Sequence, residues 1–145
     1  MPFNRWYYPA GSLSQGDKDA IAKGITDIYA EKYPRHSTLV IFIELPAGNI
    51  FVGGEKNERF HRITLQHMSG SYDVRTLEND VRVRFREVWK PYVDDRGFGF
   101  ELQIEEIPAP QISFHNYMTH HILAEPLFED MIKQDEIFPV SLRRD

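Results

Sequence analysis

The chain has 145 residues and a mass of 17.0 kDa, which fits one domain or two small halves that share a core. Hydrophobic residues make up 41% and charged residues 27%, the balance of a folded protein rather than of a disordered or membrane-spanning chain. The net charge of −5 argues against a dedicated nucleic-acid-binding protein, and the absence of cysteine excludes disulfides, thiolate zinc sites and thiol nucleophiles.

The first half of the chain predicts a strand, a helix and a second strand. Phe3 to Tyr8 is an aromatic-rich strand, and Ser14 and Asp17 have the spacing of a helix capping box. The apolar face of the helix has residues three or four apart: Ile21, Ile25, Ile28 and Tyr29. The helix is expected to end near Tyr33-Pro34. Thr38 to Leu45 is β-branched without alternation, which predicts a strand that is covered on both faces and central in its sheet.

The second half repeats this order. Ile50 to Val52 is a small extended piece, and Glu55 to Arg59 is predicted as a polar loop. Phe60 to Met68 follows as a strand. A long amphipathic helix is then predicted to run to about Lys90-Pro91, with its apolar residues at helical spacing: Val74, Leu77, Val81, Phe85, Val88 and Tyr92. Phe98 to Ile107 is the last predicted strand.

Strand, helix, strand therefore occurs twice, which predicts an α/β protein built as a doubled βαβ unit. Its four strands form one mixed sheet with both helices on one face. We assign residues 1–110 to this domain, in halves of about 1–54 and 55–110. Residues 111–145 are a C-terminal extension that packs on the same domain or on a neighbouring subunit. Because the second face of the sheet needs cover, we expect an oligomer in which sheets from several subunits meet.

The sequence gives no sign of a membrane segment or of export. The longest apolar run, Leu39 to Ile43, is far shorter than the roughly twenty residues of a membrane-spanning helix. The first residues have neither the basic nor the apolar region of a signal peptide, and no Asn-x-Ser/Thr acceptor occurs. We expect a cytoplasmic protein that binds neither membranes nor nucleic acid.

Pro2 is the residue with the most distinctive chemistry. Removal of Met1 would leave a secondary amine at the start of a strand, and burial would favour its uncharged, basic form. The alternative is that Pro2 only begins the strand, where its missing N–H is tolerated.

A Met-Pro start that opens a doubled βαβ unit resembles the tautomerase superfamily, in which an amino-terminal proline is the catalytic group. Three segments are more specifically similar to the cis-3-chloroacrylic acid dehalogenase family and its fungal members: Leu45 to Gly54, Ala22 to Asp27 and Glu106 to Ala109. The resemblance covers about Met1 to Gln111. It implies a homotrimer with Pro2 as the catalytic group and no cofactor.

This chain departs from the dehalogenase at several positions. The two arginines of that enzyme are replaced by Met68 and Ser71. Its helix histidine corresponds to Tyr29, its last-strand tyrosine to Gln103 and its water-activating glutamate to about Phe114. We therefore do not expect hydrolytic dehalogenation by the family route. The more apolar pocket suits a larger or uncharged substrate.

Tyr29, Arg62 and His67 look like residues of the fungal members' own motifs. Arg62 offers a bidentate fork for a carboxylate, or else an ion pair with Glu44, Glu101, Glu105 or Glu106. Tyr29 offers a hydrogen bond to a developing enolate oxygen, or else is a core tyrosine. His67 shares a strand face with Ile63 and Leu65, so it is either a satisfied core histidine or a proton shuttle.

The end of the last strand offers further polar groups. Glu105 and Glu106 are adjacent, so they point to opposite faces, and we choose Glu106 for the site. Its alternative is a solvated strand end. His115 and Asn116 lie near the expected pocket wall. Because the histidines near the C-terminus lack metal-ligand spacing, we expect no metal.

We therefore expect a cofactor-free tautomerase-like enzyme that acts on a small keto or unsaturated carboxylic acid. The expected catalytic residues are Pro2, Tyr29, Arg62 and Glu106. The expected substrate-binding residues are His67, Met68, Ser71, Gln103, Phe114, His115 and Asn116. The alternatives are a hydratase, dehalogenase, decarboxylase or lyase of the same superfamily that acts on a larger substrate, or a trimeric binding protein without catalysis.

Overall fold

The computed structural model describes residues 2–68, 79–114 and 117–118. Its helices and strands follow in the order β1 (Phe3–Pro9), α1 (Gln15–Tyr29), β2 (Leu39–Leu45), β3 (Phe51–Val52), β4 (Glu55–Lys56), β5 (Phe60–Met68), α2, β6 (Gly99–Ile107), β7 (Ser113–Phe114) and β8 (Tyr117–Met118). The helix α2 has π-helical turns over Asp80–Phe85 and continues as an α-helix over Arg86–Trp89. Within these ranges no helix is long and apolar enough to cross a membrane.

Four strands form one mixed sheet in the order β2-β1-β5-β6. β1 runs parallel to β2, with Phe3 opposite Leu39, and antiparallel to β5, with Phe3 opposite Gln66. β5 and β6 are parallel, and His67 lies opposite Glu106. The predicted α/β class and doubled βαβ unit are therefore confirmed.

The core lies between the helices and one face of the sheet, which we call the helix-facing side. The residues buried there include Trp6, Tyr8, Ile21, Ile25, Tyr29, Ile63, Leu65, Phe85 and Trp89. The helices α1 and α2 approach closely at Gly24, where a Cβ atom would lie 2.6 Å from Cγ1 of Val88. Only glycine fits between the helices at this point.

The other side of the sheet, which we call the open side, carries exposed apolar residues at one edge and charged residues at the other. Leu39 and Ile41 on β2 are 51% and 39% exposed. Arg5 on β1 pairs with Glu105 on β6 at 2.8 Å. The two sides thus differ sharply in how well one chain covers them.

The prediction that β2 is central is wrong, because β2 lies at the edge of the sheet beside β1. Its unbroken apolar run has another cause. Val40 and Phe42 pack against the core, whereas Leu39 and Ile41 lie on the open side. The run is apolar on both faces of β2. The core covers one face, and the described part of this chain does not cover the other.

The start of α1 is as predicted, whereas its end is not. The capping box is confirmed, since Asp17 N–H donates to Ser14 Oγ at 3.1 Å and Ser14 N–H donates to the Asp17 carboxylate at 2.8 Å. The helix α1 ends at Tyr29 rather than near Tyr33, and a 3-10 turn over Arg35–Ser37 precedes β2.

Part of the predicted polar loop, Glu55 to Arg59, is a strand. Glu55–Lys56 forms β4, which pairs with β3. The turn between them is made by Gly53 and Gly54, both at positive φ, as a tight hairpin requires. The residues of the predicted second helix before 79, and most of the predicted extension 111–145, lie outside the described residues.

Candidate active site

Pro2 is buried directly before β1. Its carbonyl accepts a hydrogen bond from Leu39 N–H at 3.1 Å, so the start of the chain is fixed against β2. One step beyond the pair Phe3 and Gln66, the antiparallel register places Pro2 opposite His67. In the chain that begins with Met1, the positive charge of the amino terminus also lowers the pKa of the His67 ring.

Tyr29 and His67 form a buried pair beside Pro2. Tyr29 is the last residue of α1 and is fully buried, and its hydroxyl lies 3.4 Å from His67 Nε2, a long hydrogen bond. Burial, and then the charge of the amino terminus, lower the pKa of His67 from 6.5 to about 4. His67 is therefore a neutral hydrogen-bonding ring at pH 7, and the pair carries no charge.

Glu106 is the register partner of His67 on β6 and lies on the same side of the sheet, where it is exposed. We call this line across the sheet, formed by Thr38, Pro2, His67 and Glu106, the Pro2 row. The neighbouring Glu105 lies on the open side, where it accepts hydrogen bonds from Arg5 and from Gln66 at 2.8 and 3.0 Å. The two adjacent glutamates thus lie on opposite sides of the sheet.

Arg62 and Gln103 lie away from the Pro2 row. Arg62 precedes His67 by five residues on β5, about 16 Å along a strand, and its side chain is on the open side. It forms an ion pair with Glu101 at 2.5 Å and contacts the side chain of Gln103. The structure therefore does not bring Arg62 and Gln103 together with Tyr29 and His67 within one chain.

The remaining candidates are placed only in part. Met68 ends β5 directly after His67, and Phe114 lies in β7. Ser71, His115 and Asn116 lie outside the described residues.

Two polar residues close to Pro2, Asn4 and Thr38, were missed by sequence analysis. Asn4 is fully buried, and its Nδ2 donates to the Leu39 carbonyl at 3.1 Å. Within the described residues, Asn4 Oδ1 and Thr38 Oγ1 are buried without a hydrogen-bond partner. The signal was present in β1, where Asn4 alternates in step with Trp6 and Tyr8 and so had to point into the core.

At the opposite end of β5, a second buried histidine has a different environment. Trp6 Nε1–H donates to His61 Nδ1 at 2.9 Å, so the ring proton is on Nε2, which lies 3.4 Å from Ser12 Oγ. Burial lowers the pKa of His61 to about 4. We call this group of Trp6, His61 and Ser12 the sealed end.

Next to the sealed end, Arg96 forms an ion pair with Asp17. Its guanidinium donates to both oxygens of Asp17 at 2.8 and 2.9 Å. These hydrogen bonds, aided by Ser14, lower the pKa of Asp17 to about 2. The first turn of α1 is thus tied to the segment before β6.

Comparison with protein families matches residues 1–119 to a tautomerase model described as "Putative oxalocrotonate tautomerase enzyme". The comparison with curated proteins gives no match.

Solved structures share the fold at low sequence identity. A probable enzyme from the thermophilic fungus Aspergillus fumigatus is 22% identical, with a TM-score of 0.84 over 97% of this chain and 96% of that chain. A fused 4-OT wild-type asymmetric trimer is 20% identical, with a TM-score of 0.69 over 83% of this chain and 98% of that chain. N1, a member of the cis-3-chloroacrylic acid dehalogenase family, is 17% identical, with a TM-score of 0.65 over 91% and 96%.

Proposed function

The chain belongs to the oxalocrotonate tautomerase-like family and is an enzyme of that type, and we propose that its catalytic group is the amine of Pro2. The reaction is proton transfer between oxygen and carbon of a small keto or unsaturated carboxylic acid. The observation that carries this proposal is the burial of Pro2 in one row with His67, whose ring contacts the hydroxyl of Tyr29.

Removal of Met1 converts the nitrogen of Pro2 from an amide into an amine. Burial favours the uncharged amine, which takes the proton of an enol hydroxyl. The electron pair of the O–H bond stays on the oxygen, so the substrate becomes an enolate, and the hydroxyl of Tyr29 donates a hydrogen bond to that oxygen. The protonated Pro2 then returns the proton to carbon, which gives the keto form and restores the amine.

His67 holds Tyr29 in place in this mechanism. Because its pKa is about 4, it stays neutral and can pair with the Tyr29 hydroxyl throughout the neutral range. Glu106 has no part in simple tautomerisation, since one group suffices to move the proton.

The second candidate is addition of water to an unsaturated acid, as in a hydratase or dehalogenase. Glu106 favours it, because this carboxylate is exposed and lies in register with His67 on the helix-facing side. A protonated Pro2 would then be the acid and Glu106 the group that activates water. The cis-3-chloroacrylic acid dehalogenase-like subfamily would fit this reading.

We also propose a homotrimer. The apolar edge of the open side, with Leu39 and Ile41 exposed, needs a partner, and a fused 4-OT with this fold is a trimer. Native mass spectrometry should show a species of three times 17.0 kDa. A monomer at micromolar concentration would refute this part of the proposal.

The function is tested by conversion of an enol 2-oxo acid to its keto form, followed by ultraviolet absorbance. Intact mass must first show that Met1 is absent. Pro2→Ala should lower kcat/KM at least about 100-fold with little change in Tm, since general acid–base groups contribute at least that much. The matched control is Pro9→Ala at the other end of β1, which should keep its activity. Equal activity of wild type and Pro2→Ala would refute the proposal.

A further inference from the structure

Two buried oxygens next to Pro2 have no hydrogen-bond donor within the described residues: Thr38 Oγ1 and Asn4 Oδ1. Buried polar atoms are nearly always paired, since an unpaired one is costly. Asn4 is fully buried and its other side-chain atom, Nδ2, is already bonded. Among the described residues, Oδ1 of Asn4 therefore still lacks a donor.

Both residues are tied to Pro2 through Leu39. Leu39 N–H donates to the Pro2 carbonyl, and the Leu39 carbonyl accepts from Asn4 Nδ2. One step before the pair Phe3 and Leu39, the parallel register sets Thr38 directly beside Pro2. Asn4 follows Pro2 by two residues, on the same side of the strand.

We propose that Thr38 and Asn4 form a cradle that holds the free amine of Pro2. While Met1 is attached, the Pro2 nitrogen is a tertiary amide and has no hydrogen to donate. Once Met1 is removed, the same nitrogen is a secondary amine with one N–H, or two when protonated. The two oxygens accept from these N–H groups and so fix the direction in which the nitrogen faces the substrate. This inference rests on the proposed role of Pro2.

The cradle also affects protonation. Acceptors for N–H favour the protonated amine, whereas burial favours the neutral one. Among the described residues, the titratable groups of the Pro2 row are His67 on β5 and Glu106 on β6, and Tyr29 on α1 contacts His67. All three are unchanged in the variants below, so a shift in protonation reports on the cradle.

The test measures the amine itself rather than turnover. Formaldehyde with cyanoborohydride methylates only the neutral amine, so the pH midpoint of Pro2 labelling, mapped by peptide mass spectrometry, reports its protonation. Thr38→Val keeps the shape but removes the hydroxyl, and the midpoint should fall by about one pH unit. Thr38→Ser should restore it. Asn4→Ala is the second variant and should move the midpoint in the same direction.

Ser37→Ala is the matched control. The Ser37 hydroxyl is already bonded to the Pro34 carbonyl at 2.7 Å, so its loss should lower Tm and leave the midpoint unchanged. Thr38→Val should instead shift the midpoint, since it removes one of the two oxygens that accept from the Pro2 amine. An unchanged midpoint in both Thr38→Val and Asn4→Ala would overturn the cradle, even if Pro2→Ala abolishes activity. A shifted midpoint in an enzyme without tautomerase activity would uphold the cradle and refute the proposed function. Retention of Met1 would overturn both.

Discussion

The two ends of β5 contain the same residue in two different settings. His61 and His67 lie on the same strand, face the same side and are almost completely buried. Burial lowers the pKa of both rings to about 4. Yet His61 has Trp6 and Ser12 on its two nitrogens, whereas His67 meets the Tyr29 hydroxyl and the charge of the amino terminus.

The comparison of the two histidines shows that a pKa lowered by burial does not by itself identify a functional residue. A perturbed pKa is common at active sites, but here the same shift occurs at the sealed end, where the His61 ring is bonded to Trp6 and Ser12. What distinguishes His67 is its neighbourhood, with Pro2 opposite it and the carboxylate of Glu106 on the next strand. Position in the fold, rather than the pKa, identifies the candidate site.

The largest effect we expect is a loss of stability in acid, caused by the two buried histidines. Each binds a proton near pH 6.5 when unfolded but only near pH 4 when folded. The free energy of unfolding should therefore fall as the pH drops from 6.5 to 4, by about 3 kcal/mol for each histidine. Below about pH 4, protonation of Asp17, whose folded pKa is about 2, should add to the loss. Urea unfolding at pH 7.5, 6, 5 and 4 measures this, and a flat profile from pH 7 to 5 would contradict it.

Leucine should affect mainly stability at His61 and mainly activity at His67. His61→Leu leaves the buried Trp6 N–H without an acceptor and should lower the free energy of unfolding by about 2 to 3 kcal/mol, with kcat/KM within about twofold. His67→Leu should cost stability less but lower kcat/KM at least about tenfold, because Tyr29 loses its orientation. Parallel urea unfolding and kinetic assays decide, and loss of activity in His61→Leu alone would reverse our assignment of the two ends.

The stability of the protein near the sealed end should also depend on Arg96. Arg96→Gln removes both hydrogen bonds to Asp17 and leaves that carboxylate partly buried without its cation. We expect a loss of about 1 to 2 kcal/mol in the free energy of unfolding and unchanged kcat/KM. In the double variant with Asp17→Asn the losses should be less than additive, and full additivity would show that the pair is not coupled.

The smallest effect is expected at the helix cap. Ser14→Ala removes the acceptor for Asp17 N–H and should cost about 1 kcal/mol, seen as a lower Tm. Ser14→Asp, which keeps a capping oxygen, should retain most of the stability. A change in kcat/KM would mean that the start of α1 affects the site at Pro2.

The sequence predicted the elements well because their signals are local. Periodicity located the four main strands, and the Ser14–Asp17 spacing located the start of α1. Placing β2 in the sheet failed, since an apolar run on both faces does not say which face another part of the chain covers. The hairpin partner of Phe51–Val52 was missed, since Glu55–Lys56 is too short and polar to read as a strand.

The candidate site was predicted less evenly. Strand alternation predicts that Glu105 and Glu106, and likewise Arg62 and His67, lie on opposite sides of the sheet, and the structure agrees. Alternation does not say which side holds the site, so Arg62 was still counted among its residues. Asn4 and Thr38 carry no motif. Their significance comes from hydrogen bonds that are missing, and only a structure shows which buried atoms remain unpaired.

The close contact between α1 and α2 limits how this protein can be improved by engineering. Alanine is normally the safest replacement for a glycine inside a helix, and helix propensity alone would rank Gly24→Ala as stabilising. Here the added methyl would meet Val88 at 2.6 Å, so the two helices would have to separate or Val88 would have to shrink. Gains at this position should come only from paired changes, such as Gly24→Ala with Val88→Ala, and a library that varies one site at a time will not find them.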